Sequence, residues 1–82
     1  MIQDKIEWYR QQAVGSREAA DHHEKYANSL PKGRYPSLRE GRYQHAARLR
    51  KFAAANERVA DGLEKGEDVT ALLMEVERYA GE

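Results

Sequence analysis

The chain has 82 residues, 34% charged and 40% hydrophobic, with no cysteine, two prolines and a formal net charge of zero. This composition reads as one small helical domain near the lower limit of independent stability, and it excludes disulfides, thiolate metal sites and a cysteine nucleophile. Residues 1–7 carry charge where a signal peptide needs an apolar run, and no stretch approaches the length of a membrane span, so the expected location is the cytoplasm, away from membranes.

The first predicted helix covers about residues 2–30. Ile2, Ile6, Tyr9, Ala13, Ser16, Ala20, His23, Ala27 and Leu30 follow one another in steps of four and three. Nearly all are apolar or small, and the positions between them are charged or polar, which is the pattern of a helix with a coiled-coil-like seam. Arg17/Asp21 and Asp21/Lys25 lie four apart and are expected to add surface support along the helix.

Residues 31–37, Pro-Lys-Gly-Arg-Tyr-Pro-Ser, break the pattern. Pro31 and Pro36 disfavour helical geometry at Leu30 and Tyr35, and Gly33 supplies a left-handed position. Ser37 and Glu40 have the spacing of a capping box, so a second helix is expected over about 38–64. Its seam reads Leu38, Arg42, His45, Leu49, Phe52, Asn56, Val59 and Leu63, and Gly62 and Gly66 weaken its end. Asp68 caps a short third helix, about 68–80, with the stripe Val69, Leu72, Leu73, Val76 and Ala80; Met74 and Tyr79 lie off it.

The fold class is therefore all-α: a long antiparallel hairpin with a heptad-like seam and a short third helix, in one domain. Folding the long helices back about residue 34 pairs small with large residues, Ala20 with Leu49 and Ser16 with Phe52, and places Gly15 for a close approach. Each long arm spans about 40 Å and the third helix about 20 Å, so the third helix covers only the open end, against Trp8, Ala53 and Ala60. The half nearest the turn is left with two layers, which favours a docked partner or dimerisation.

Charge is polarised along the chain. Residues 32–51 hold seven basic residues against one acidic, a net of +6, and residues 52–82 hold three basic and eight acidic, a net of −5. Such asymmetry bears on partners and association.

No catalytic constellation is apparent. Ser16, Ser29 and Ser37 lack His and acid partners at a suggestive spacing, and the carboxylates of residues 57–82 are scattered over helical faces. His23 faces His45 across the seam, but two imidazoles fall short of the three or four ligands of a metal site, and His22 points elsewhere. Asn56 has the place of the polar seam residue that fixes register in coiled coils. Neither cofactor, metal nor small-molecule substrate is expected.

The expected function is that of a small non-enzymatic interaction protein, an adaptor, regulator or inhibitor of the size found among phage and mobile-element accessory proteins. It would bind a larger protein or its own copy through Tyr26, Tyr35, Arg39, Arg42, Tyr43 and Ala46. The alternative is nucleic-acid backbone binding through the basic tip, Lys32, Arg34, Arg39, Arg42, Arg50 and Lys51, where the repeated Gly-Arg-Tyr of residues 33–35 and 41–43 interleaves tyrosines with charge.

Overall fold

The computed structural model describes residues 1–81, which form three helices: α1 (Ile2–Ser29), α2 (Pro36–Lys65) and α3 (Thr70–Ala80). The first two pack along their whole lengths as an antiparallel hairpin, and α3 rests on α2. The body measures 50 × 19 × 15 Å.

The turn is built largely as the two prolines require. Leu30, which precedes Pro31, leaves the helix in an extended conformation (φ −69°, ψ 143°), and the Arg34 amide donates to the Pro31 carbonyl. Gly33 takes the left-handed conformation expected of it, with φ 76°. The expected Ser37/Glu40 capping box does not form. Instead α2 begins two residues earlier, with Tyr35 as N-cap and Pro36 as the first helical residue. Proline lacks the N–H that is orphaned at that position and has its φ already set, so it starts the helix without a side-chain cap. Tyr35 itself sits at φ 54°, a conformation that costs an L-residue about 1–2 kcal/mol.

The seam between α1 and α2 is made of alanine. Ile6, Ala13, Ala20 and Ala27 recur every seven residues on α1, Ala46, Ala53 and Ala60 do the same on α2, and all seven are buried. The Ala27 carbonyl accepts from Arg39 Nε at 3.4 Å. Buried alanines thus line the interface from both helices. The predicted α2 stripe is rotated accordingly: Leu38 and His45 are exposed, and Leu49 and Phe52 are only half-buried. Facing alanines let the two backbones approach, which moves bulkier neighbours to the flanks. Gly15 takes no part in the approach, since the space around it is open.

At the far end α2 runs through Gly62 to Lys65 and stops at Gly66, in the left-handed conformation (φ 74°), where the Gly66 and Glu67 amides return to the carbonyls of Leu63 and Gly62. Val69 is the N-cap of α3, which starts at Thr70, and Asp68 caps it from one residue further out, accepting from the Thr70 amide at 3.0 Å and from the Thr70 hydroxyl at 2.7 Å. Those bonds, the hydroxyl first, hold the Asp68 carboxyl below its ordinary pKa. A Cβ at Gly62 would meet Val69 Cγ1 at 2.6 Å, so the missing side chain is what lets α3 lie close against α2. Of the residues expected under α3, Ala53 and Ala60 are buried on the seam with α1, and Trp8 stays 55% exposed, with its ring edge-on to Tyr9. Tyr79, expected off the stripe, is half-buried.

Candidate functional site

The two flanks of the hairpin are finished differently. On one flank, Arg10 meets Asp61 (3.2 Å) and Glu64 (2.5 Å), Arg17 meets Glu57 (2.9 Å), Arg50 meets Asp21 (3.0 Å) and Glu24, and the Tyr43 hydroxyl donates to Asn28. Tyr43, Arg50, Glu57 and Glu64 are spaced by sevens, as are Arg10, Arg17 and Glu24, so this is one polar zipper running from the open end towards the turn. Bonding to Glu64 and Glu24 raises the pKa of Arg10 and Arg50 respectively. Arg17 and Asp21, expected to pair along α1, reach across to α2 instead.

The opposite flank carries α3, but only over half its length. Starting from the open end, α3 passes over a shallow groove lined by Trp8, Tyr9, Leu63, Val69 and Leu73. It finishes beside an apolar cleft of about 240 Å³ lined by His45, Arg48, Leu49, Phe52, Tyr79 and Ala80. Arg58 ties its middle to α2 through Glu75 at 2.6 Å. Beyond Ala80, among the described residues, the groove between α1 and α2 continues to the turn with no third helix over it.

The floor of this bare groove is polar and aromatic. The rings of His23 and His45 meet edge-on, 4.5 Å apart, as the register predicts. Arg42 donates to Nδ1 of His23 at 2.9 Å and lies over the Tyr26 ring, 4.3 Å from its centroid. Partial burial, then the nearby His45, Arg42 and His22, lower the His23 pKa. Tyr26 is 42% exposed, and Leu38 and Tyr35 are exposed further towards the tip.

Of the residues expected to meet a partner, Tyr26 and Tyr35 present open faces. Arg39 is occupied at the end of α1, where it donates to the carbonyls of Ala27, Leu30 (3.2 Å) and Pro31 (2.8 Å) and satisfies acceptors that the helix leaves unpaired. Arg42 is spent on His23 and Tyr26, and Tyr43 on Asn28. Ala46 offers no surface, being 1% exposed within the alanine seam. Of the residues expected at a nucleic acid, Lys32, Arg34 and Lys51 are exposed with no ion-pair partner among the described residues, whereas Arg39, Arg42 and Arg50 are engaged within the hairpin. Arg48, which belongs to neither set, stands exposed on the rim of the apolar cleft. Its signal in the sequence is its place three residues before Lys51, on the α2 face that α3 stops short of covering.

Among the described residues no three or more His, Asp or Glu converge as metal ligands, and no helix is long and apolar enough to cross a membrane. Asn56 is fully buried, with Nδ2 donating to the Phe52 carbonyl at 2.8 Å and Oδ1 left without a partner. Searches of family models, curated proteins and solved structures found no match.

Proposed function

We propose that this chain is a small non-enzymatic helical interaction protein, and that it docks its partner in the turn-proximal groove between α1 and α2. The reading rests on one observation: α3 ends at Ala80, beside the cleft it shares with Phe52, Leu49 and His45, while the hairpin continues to the turn two helices thick. A two-helix layer leaves its apolar and aromatic side chains in water, and covering them stabilises the assembly. Tyr26, backed by Arg42, is the natural anchor: aromatic and arginine side chains dominate binding energy at protein interfaces.

Binding along a nucleic-acid backbone is the second reading, and it draws on Lys32, Arg34 and Lys51, the three residues expected at a nucleic acid that are exposed and not engaged within the hairpin. Both readings meet in one experiment. A photo-crosslinking amino acid replaces Tyr26 in one variant and the outward-facing Gln11 in another, and lysates are irradiated with and without nuclease. The expected result is a discrete protein product from position 26, none from position 11, and no loss on nuclease treatment. Loss of the product with nuclease supports the second reading. No product at position 26, or equal products from both positions, contradicts the first.

A further inference from the structure

The bare groove is long enough to take one helix of this chain. Val69 lies against Gly62 and Glu75 pairs with Arg58, so the antiparallel α3 ends about level with residue 51 of α2, and from Pro36 to there about 22 Å of α2 is uncovered at 1.5 Å per residue. The 11 residues of α3 span about 16 Å. We propose that two copies of this chain pair about a two-fold axis, each laying its α3 into the other's turn-proximal groove.

This deepens the docking reading and rests on it, with a second copy as the occupant. One hairpin lies reversed on the other, so that the step at the end of α3 fits the same step on its twin. The arrangement is isologous, and both grooves fill at once.

The charges agree with this placement. In the reversed orientation, the start of α3 on one copy lies over the turn of the other. Glu67 and Asp68 precede α3, Lys32 and Arg34 occupy the turn, and none of the four has an ion-pair partner among the described residues. The basic 32–51 stretch of each copy thus meets the acidic 52–82 stretch of the other, and the zero net charge of the chain opposes no such approach. Near the axis the C-terminal ends of both α3 helices come together beside the two Arg48 side chains, where cations complement the carbonyl end of a helix. The outward face of α3 offers Ala71 and Met74, and Met74 is 66% exposed. A flexible methionine is well suited to the irregular floor formed by Tyr26, Leu38 and the His23/His45 pair.

Sedimentation velocity of the full chain from about 1 µM to about 1 mM tests the pairing, a range that brackets modest association free energies. The expected result is a monomer–dimer equilibrium that weakens with added salt. Met74→Arg, on an exposed position and checked by circular dichroism for retained helix, should weaken it at least about tenfold, or 1.4 kcal/mol. Arg34→Glu and Glu67→Lys should each weaken it, and the double variant, which reverses both members of the contact, should recover it. A chain that stays monomeric throughout overturns the proposal, as does a dimer indifferent to Met74→Arg or a double variant no better than the singles. A monomer whose Tyr26 position still crosslinks to a different protein overturns the dimer alone and leaves the docking reading in place.

Discussion

Arg42 donates to Nδ1 of His23, so that nitrogen carries no proton and the imidazole is held neutral with its proton on Nε2. Protonating His23 would place a cation between Arg42 and the edge of His45, on a ring that is already partly withdrawn from water. Its folded pKa is accordingly below the ordinary 6.5. The unfolded chain binds the proton at higher pH than the folded chain does. Neutral His23 therefore contributes its full stability above about pH 6.5, and that contribution is lost as pH falls through 6.5 towards the folded value. Asp68 does not confuse the test, because its lowered pKa matters only below the ordinary 3.8. Thermal unfolding followed at about pH 7.5 and about pH 5 should give a lower Tm at the acid end, and His23→Gln should remove most of the difference. An equal drop in both proteins would place the acid sensitivity elsewhere.

Among the elements, α2 carries two seams, one towards α1 and one towards α3, and glycine decides the second. Alanine at position 62 would gain about 1 kcal/mol of helix propensity. It would also place a Cβ 2.6 Å from Val69 Cγ1, on a β-branched side chain with little rotamer freedom to yield. The clash should win, and Gly62→Ala should destabilise by about 1–3 kcal/mol in urea titrations. Gly41→Ala, in open space on the same helix, should stabilise by about 0.5–1 kcal/mol. Equal stability of the two variants would mean that α3 does not lie against Gly62. The sequence made much of this legible. The seven-residue stripe of α1, its end before Pro31 and the Asp68 cap all follow from local chemistry. What stayed hidden was the rotation of α2, because Leu49 and Phe52 outweigh alanine on any hydrophobicity count while only alanine lets the backbones close up. The polar zipper was hidden for a related reason: Arg17 has an acid four residues away on its own helix, and only the register reveals Glu57 as its partner. In the candidate site, the tyrosines were legible as exposed aromatics. The commitment of Arg39 to the end of α1 was not, since it depends on where that helix stops.

For the molecule as a whole, the decisive feature is the unequal finishing of its two flanks. One is closed by ion pairs that are individually worth little, about 0.2–1 kcal/mol each, but that hold the register along the hairpin. The other is closed by α3 over the open-end half of α2 and is open from there to the turn. Hydrogen exchange reads this division directly, since amides in poorly covered helix open at lower free energy than those in a packed core. The measurement to make is residue-resolved amide exchange on dilute and on concentrated protein. The account predicts that residues 23–29 and 36–45 exchange faster than residues 53–60 in dilute solution, and that the first two stretches gain protection as concentration rises. Uniform protection along α2 at every concentration, or protection gained only on the zipper flank, would contradict it.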